Sequence, residues 1–299
     1  MELIVKNKTK IKNMNVLSLF DGMSCGQIAL NKLGIKYDNY FASEIDKYAI
    51  QVTQKNYPNT KQIGSVIEIK GEDLPKIDLL FGGSPCQDLS KAKTDGEGLK
   101  GDRSGLFWDY VRLLKETKPR YFLLENVVMK KQDEDVITNE LGVKPIEINS
   151  NLVSAQNRRR LYWTNIPNIQ QPKDKGIFIK DILLDEPLQL FKDERIESTK
   201  VATKNYVKWD ISNKGYYSQQ DRAYYKDGKM CCVPKSQVKS KVNVIESEGV
   251  YRRLSPIEVE RLQTVPDDYT SGVSDTQRYN MLGNGWTVDV IAHIFKALT

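Results

Sequence analysis

Short, largely apolar runs alternate with helix-like segments over residues 14–165, and this alternation restricts the fold more than any other feature. Residues 14–20, 40–43 and 77–82 are three such runs, and each leads into a turn or an acidic residue. A short apolar run bounded by turn residues is typical of a strand buried on both faces of a parallel sheet. The pattern therefore predicts an α/β fold with a doubly wound parallel sheet.

The regular alternation is lost between residues 166 and 250, where we expect a second, smaller domain. Residues 1–165 and 251–299 would then form the larger one, and 299 residues suffice for both. A helix is predicted to resume at Pro256, because Ser255 suits the N-cap and Glu258 completes a capping box.

Composition excludes several functional classes. No apolar run reaches the length of a membrane span, and the N-terminus lacks a signal-peptide pattern. Four cysteines without a Cys-x-x-Cys pair favour a reducing cytosol, so we expect a cytoplasmic protein. The only histidine, His293, lies in an apolar helical pattern where a structural role is expected, and no metal site is predicted.

Residues 198–245 contain ten lysines and arginines but three acids, while the whole chain carries a net charge of +6. Six aromatic residues lie between these cations. Cations neutralise phosphates and aromatic rings stack on bases, so the segment is a candidate DNA-binding surface that includes Lys235, Lys239 and Lys241. The alternative is a solvated surface over a small aromatic core.

A glycine-containing turn, residues 21–26, follows the first predicted strand. Glycine allows a tight turn and a close approach of the backbone to a ligand. The second predicted strand ends in Glu44, about where a ribose-binding acid is found in nucleotide-binding folds. Together these features indicate a cofactor of the adenosine type, and the alternative is a surface glutamate after a strand.

Cys86 follows the apolar run at 77–82, within the sequence Gly-Ser-Pro-Cys-Gln. Glu125 follows a neighbouring run at 121–124, so a nucleophile and an acid are expected at adjacent strand ends, where open α/β sheets form their sites. A long polar loop, 87–105, is placed to act as a mobile lid. The alternative is an inert, buried cysteine on a turn.

Taken in order, the motifs resemble those of the cytosine-5 DNA methyltransferases over residues 14–165 and 251–299. Beyond the turn, Glu44 and Pro85-Cys86-Gln87, the matching segments are Gly105-Leu106-Phe107, Glu125-Asn126-Val127, Gln156-x-Arg158-x-Arg160, Arg252 to Pro266, and Leu282-Gly283-Asn284-Gly285-Trp286. Residues 84–90 and 153–155 are similar to the corresponding segments of the animal de novo branch of this family. The chain resembles a compact prokaryotic or phage member, although Ser65 replaces an acid that many members carry.

The resemblance implies a Rossmann-like mixed sheet that binds S-adenosylmethionine, with residues 166–250 as the target-recognition domain. It implies that the Cys86 thiolate attacks C6 of a flipped-out cytosine, that Glu125 holds N3, and that Arg158 and Arg160 supply fixed positive charge. The expected cofactor-binding residues are Phe20, Asp21, Gly22, Ser24, Gly26, Glu44, Ile45, Ser65, Val66, Leu106, Asn284 and Trp286. The expected substrate-binding residues, besides the three lysines, are Pro85, Gln87, Ser90, Asn126 and Gln156.

These features predict a monomeric, sequence-specific enzyme acting on double-stranded DNA, linked to restriction-modification or phage DNA protection. A cognate restriction endonuclease encoded alongside it would be a functional partner without a stable complex. One alternative is a tRNA cytosine-5 methyltransferase, although the Cys-Phe-Thr motif of those relatives is absent. The other is an inactive, methyltransferase-like DNA-binding regulator, which would lack the cysteine, glutamate or arginine pair that this chain retains.

Overall fold

The structure is a computed structural model that describes residues 14–85, 105–208, 222–234 and 243–299. Within these residues the helices are α1 (Cys25–Lys32), α2 (Lys47–Asn56), α3 (Leu106–Thr117), α4 (Lys131–Leu141), α5 (Glu194–Thr199), α6 (Pro256–Leu262), α7 (Asp275–Asn284) and α8 (Val288–Phe295). The strands are β1 (Asn15–Leu19), β2 (Asn39–Ser43), β3 (Lys61–Gln62), β4 (Leu79–Gly83), β5 (Tyr121–Val127), β6 (Ile146–Asn149), β7 (Gln156–Asn157), β8 (Arg159–Thr164), β9 (Gln189–Phe191), β10 (Val201–Ala202), β11 (Tyr206–Lys208), β12 (Arg222–Tyr224), β13 (Met230–Cys231), β14 (Asn243–Ser247) and β15 (Val250–Arg253).

Seven strands form the main sheet in the order β3-β2-β1-β4-β5-β8-β6. The first five are parallel, whereas β8 runs antiparallel to both β5 and β6. The predicted α/β fold with a doubly wound mixed sheet is therefore confirmed. Strands β1 to β5 are parallel to one another, as the alternation predicts. Strand β8 pairs with β5 and runs in the opposite direction.

Alternate residues of the central strands enter two separate apolar cores, because successive side chains of a strand point to opposite faces. Val16 and Phe81 pack in one core with residues of α1 and α8. Leu17 and Leu80 pack in the other core with residues of α3 and α4. Helices thus cover both faces of the sheet, and the carboxyl ends of β1, β2, β4 and β5 meet at one edge.

A second sheet of six strands, in the order β10-β11-β12-β14-β15-β9, lies between residues 189 and 253. The domain boundary predicted at residue 250 falls at the first residue of β15, which pairs with both β14 and β9. Ile179 and Ile182, from the segment before this sheet, are buried in the first core of the main sheet. Tyr224 and Val244 of the second sheet belong to the same core, and the division into two domains stays a prediction.

Helix α6 begins as its sequence predicts. Ser255 is the N-cap, its hydroxyl accepts from the Glu258 amide at 3.3 Å, and the Glu258 carboxylate accepts from the Ser255 amide at 2.7 Å. Glu258 is fully buried and also forms an ion pair with the buried Arg252 of β15. His293 lies in α8 and donates to the Gln170 carbonyl at 2.7 Å, as expected for a structural residue.

Candidate active site

The turn between β1 and α1 adopts an uncommon backbone conformation. Phe20, Gly22 and Ser24 have φ angles of 57°, 59° and 66°, in the left-handed region that non-glycine residues rarely adopt. At the two non-glycine positions, Phe20 and Ser24, this conformation costs roughly 1–3 kcal/mol each, and strain of this kind concentrates at functional sites. Hydrogen bonds hold the turn in place, including those to the Asp21 side chain, to the Gly22 amide and from the Thr53 hydroxyl to the Gly22 carbonyl.

The Asp21 carboxylate faces into the protein. It accepts from the Tyr40 hydroxyl at 2.6 Å and from the Ser24 hydroxyl at 2.7 Å. Burial raises the pKa of Asp21 to about 6, although the hydrogen bonds from neighbouring hydroxyls oppose that shift. Asp21 therefore fixes the shape of the turn through its side chain.

Glu44 follows β2 directly, and its carboxylate connects the end of this strand to the turn by a hydrogen bond. One carboxylate oxygen accepts from the Gly22 amide at 2.7 Å, and the other accepts from the Ile45 and Asp46 amides at 2.7 and 2.9 Å. A carboxylate has about four acceptor positions. Three are occupied, so one position on the oxygen beside Gly22 remains for a ligand hydroxyl.

Glu125 lies within β5, two residues before the strand ends, and is opposite Gly83 of the parallel strand β4. A Cβ atom on Gly83 would lie 2.8 Å from the Glu125 carboxylate and 3.0 Å from the indole nitrogen of Trp286. Glycine at position 83 therefore makes room for the carboxylate. Cys86 follows Gly83 by three residues and lies outside the described residues.

Two donors fix the Glu125 carboxylate, which is 8% exposed. The Arg160 Nε donates to one oxygen at 2.9 Å, and the Trp286 Nε1 donates to the other at 3.0 Å. Arg160 comes from β8, while Trp286 comes from the turn between α7 and α8. The acid is thus oriented by groups from distant parts of the chain, as a preorganised catalytic group requires.

Arg158 is 4% exposed and its guanidinium contacts the α7–α8 turn. It donates to the Gly285 carbonyl at 2.8 Å and to the Gly283 carbonyl at 3.3 Å. It also lies 3.0 Å from the Cys232 sulfur. The expected catalytic role of Arg158 stays a prediction. The hydrogen bonds show that Arg158 holds the turn between α7 and α8 in place.

A pocket of about 400 Å³ joins these groups into one site. The turn after β1, the end of β2 and the turn at Ser65 line one end, and Glu125, Asn126 and Arg160 line the other. Among the predicted residues, those that line it are Phe20, Asp21, Gly22, Gly26, Glu44, Ile45, Ser65, Val66, Pro85, Leu106, Glu125, Asn126, Arg158, Arg160, Asn284 and Trp286.

Of the predicted residues that the structure describes, two are not among those lining the pocket. Ser24 is fully buried, and its hydroxyl bonds to Asp21 beneath the turn. Gln156 is also fully buried, and its amide donates to the Leu262 carbonyl and the Gln263 side chain at 2.7 and 2.9 Å. The substrate-binding role of Gln156 stays a prediction, and the hydrogen bonds that the structure shows for it hold the segment around Leu262 and Gln263.

Several predictions fall outside the described residues, so the structure gives no placement for them. They are the positions Cys86, Gln87, Ser90, Lys235, Lys239 and Lys241, together with the proposed lid up to residue 104. In the described part of the basic segment, Tyr206 and Tyr224 pack together, with ring centroids 5.5 Å apart. Lys226 pairs with Glu246 at 2.7 Å. These contacts favour the aromatic-core alternative for these two tyrosines.

The sequence interpretation missed pocket residues of two kinds. Ile67 is 64% exposed and lines the same end of the pocket as the 77% exposed Ile45. An isolated isoleucine is usually buried, so the residue type of Ile67 does not indicate a pocket. Only its position next to Ser65 and Val66 in the sequence could have indicated this role. Ser84 accepts from the Asn126 side chain at 3.1 Å, and its place in the cysteine motif could have indicated it.

Fold and site together define a class: a doubly wound α/β protein in which a tight turn after the first strand and a hydrogen-bonded glutamate–arginine pair line one pocket. The family model described as C-5 cytosine-specific DNA methylase matches residues 14–299. The chain belongs to this family and is a DNA cytosine-5 methyltransferase. The Type II methyltransferase M.NlaX of Neisseria lactamica is 28% identical in an alignment of 316 positions that covers 95% of each protein.

Two further comparisons extend this result. The orphan methyltransferase M.Rho11sI of Bacillus phage rho11s is 41% identical over 119 residues, 39% of this chain and 24% of the phage protein. The solved structure of methyltransferase EhMeth from Entamoeba histolytica has a TM-score of 0.74 at 20% identity, covering 96% of this chain and 98% of that one. The latter similarity establishes the fold alone. Within the described residues, no helix is long and apolar enough to cross a membrane.

Proposed function

We propose that this enzyme transfers a methyl group from S-adenosylmethionine to C5 of a flipped-out cytosine in double-stranded DNA, through a covalent bond between Cys86 and C6. One observation carries the proposal most strongly. The Glu125 carboxylate, held by Arg160 at 2.9 Å, shares a pocket with the turn at Gly22 and lies opposite Gly83, three residues before Cys86.

The cofactor end of the pocket offers S-adenosylmethionine a hydrogen-bond acceptor and apolar surfaces. Glu44 keeps one acceptor position for a ribose hydroxyl, and the exposed Ile45 and Ile67 offer apolar surfaces for an adenine ring. Gly285 is close-packed, since a Cβ atom there would lie 2.9 Å from the Met23 side chain and 3.0 Å from the Met281 carbonyl. When bound, the cofactor supplies the electrophilic methyl group.

The base end suits a polarised pyrimidine. C5 of cytosine is a poor nucleophile until a thiolate adds to C6, which makes the ring an enamine. As the thiolate adds to C6, an electron pair moves to N3, and the Glu125 carboxyl would share with N3 the proton that it then needs. Arg160 carries a fixed positive charge beside this carboxyl. After methyl transfer, a base such as water would take the C5 proton, and the C5–H electron pair would re-form the C5–C6 double bond as the C6–S bond breaks and the Cys86 thiolate leaves.

We further infer that residues 166–250 recognise the target sequence, with Lys235, Lys239 and Lys241 contacting phosphates. The charge of the segment 198–245 and its position between the two parts of the family motifs support this proposal. Exchange of 166–250 for the segment of a relative should change the methylated site and retain the chemistry. An active hybrid that methylates the original site would show that recognition lies elsewhere.

A role in restriction-modification or phage DNA protection follows from the names of similar proteins and remains a proposal. M.NlaX is named a Type II methyltransferase, and M.Rho11sI is named an orphan methyltransferase of a phage. A Type II methyltransferase fits a role beside a companion endonuclease. An orphan methyltransferase fits a role without such a partner. We propose a monomer acting on DNA in the cytoplasm in either case.

DNA carrying 5-fluorocytosine at the target site tests the chemistry, since fluorine at C5 cannot leave as the proton does. The target is first found by bisulfite sequencing of DNA from a host expressing the protein. We expect a covalent protein–DNA complex that requires S-adenosylmethionine. Cys86→Ser should abolish the complex, and the control Cys231→Ser should retain it. A complex that survives in Cys86→Ser would refute the assignment of the nucleophile.

A further inference from the structure

A thiol from residues 166–250 contacts both arginines of the active-site pocket. The Cys232 sulfur lies 3.0 Å from Arg158 Nη1 and 3.8 Å from Arg160 Nη2. Arg160 in turn holds Glu125 through its Nε at 2.9 Å. The sulfur is therefore one contact away from the catalytic carboxylate, although it is not itself among the residues lining the pocket.

Strand pairing explains why this thiol lies beside the arginines. The short strand β13 is parallel to β7, with Met230 opposite Gln156 and Cys231 opposite Asn157. The same register brings position 232 level with position 158. Gln156 strengthens the pairing, because its side-chain carbonyl accepts from the Val233 amide at 3.3 Å. The buried glutamine therefore fixes the segment that carries Cys232.

The charged surroundings of Cys232 differ from those of the other described cysteines. Burial opposes ionisation of its thiol, but the guanidiniums of Arg158 and Arg160 outweigh burial and lower the pKa of Cys232. Burial raises the pKa of Cys25 to about 12 and also raises the pKa of Cys231. Of these three, Cys232 alone is suited to exist as a thiolate between two cations.

We propose that the Cys232 thiolate is a positioning residue that holds Arg158 and Arg160 together and keeps Arg160 on Glu125. This inference rests on the proposed methyl transfer. It makes residues 166–250 part of the catalytic arrangement as well as the proposed reader of sequence. Without the anion, two guanidiniums within reach of one sulfur atom would repel each other, and Arg160 would lose one of the contacts that fix its orientation.

Three variants of the full chain test the proposal through turnover. Cys232→Ser retains a small polar group without the anion, Cys232→Asp retains the negative charge, and Cys231→Ser removes the adjacent thiol as a control. We expect kcat to fall about 10-fold in Cys232→Ser, the scale of one lost hydrogen bond between charged groups. The aspartate variant should stay within about 3-fold of the original enzyme, and KM for S-adenosylmethionine should be unchanged in all three.

A second measurement does not depend on catalysis. The ultraviolet absorbance of thiolate is followed against pH in the original protein and in Cys232→Ser, and the difference isolates Cys232 from the other thiols. The groups facing this sulfur are Arg158, Arg160 and Cys231. An ordinary cysteine thiol has a pKa of about 8.5. We expect the thiolate absorbance of Cys232 to persist below that pH.

Three results overturn the inference: full turnover in Cys232→Ser, an aspartate variant no more active than the serine variant, or no additional thiolate in the difference spectrum. If the original protein methylates no DNA, the proposed function fails instead. In that case the absorbance measurement still decides whether Cys232 is a thiolate between the arginines.

Discussion

Replacing Trp286 with phenylalanine separates two roles for this residue. The sequence predicts that Trp286 contacts the cofactor, whereas the structure shows its indole N–H donating to Glu125 at 3.0 Å. The indole ring also packs against Phe81, with ring centroids 5.9 Å apart. Phenylalanine keeps an aromatic ring for that packing and removes the donor together with part of the indole ring.

The size of the effect follows from the environment of the carboxylate. Glu125 is 8% exposed, and Arg160 and Trp286 each donate to one of its oxygens. A hydrogen bond to a charged group contributes about 1.5–3 kcal/mol. If half or more of this is lost in the transition state, kcat falls about 3-fold to 100-fold, since each factor of ten corresponds to about 1.4 kcal/mol.

Steady-state transfer of labelled methyl groups to DNA measures kcat and KM separately. Trp163→Phe is a matched control, because Trp163 is fully buried, donates to the Thr138 hydroxyl at 3.0 Å and belongs to the opposite core. The control should lose about 1 kcal/mol of stability and keep its kcat. A rise in KM for S-adenosylmethionine with unchanged kcat in Trp286→Phe would refute the positioning role and support the sequence interpretation.

Two further substitutions test the cofactor end of the pocket. Glu44→Gln keeps one acceptor oxygen but loses the charge, so we expect the affinity for S-adenosylmethionine to fall about 10-fold in calorimetry. DNA binding should be retained. Unchanged cofactor affinity would contradict the ribose role. The pKa of Asp21 is raised by burial from 3.8 to about 6, so the folded state holds its proton more tightly than the unfolded chain. Ionising this group therefore destabilises the fold progressively between about pH 4 and pH 6, by about 3 kcal/mol when complete. Denaturation at several pH values should show Asp21→Asn gaining relative stability across that window, and a constant difference between the two proteins would exclude the shift.

Local signals in the sequence predicted the elements that carry the site. The apolar runs at 14–20 and 77–82 are strands β1 and β4, and the capping box at Ser255 begins α6. These patterns depend on neighbours a few residues apart, so the sequence displays them directly. The strand ending before Glu125 was predicted too short, because β5 continues through this residue by pairing with β8. That pairing partner lies more than thirty residues further along the chain.

The sequence by itself determined the fold class, the order of the motifs and the family, because each depends on residue type and short-range spacing. Only the tertiary structure decided what the side chains contact. Trp286 and Glu125 are 161 residues apart, and Cys232 and Arg158 are 74 apart. Gln156 belongs to a catalytic motif by sequence, yet it is fully buried among Leu262, Gln263 and Val233. The physical reason is that a hydrogen bond depends on positions within a few tenths of an ångström, and sheet pairing and core packing set those positions across the whole chain.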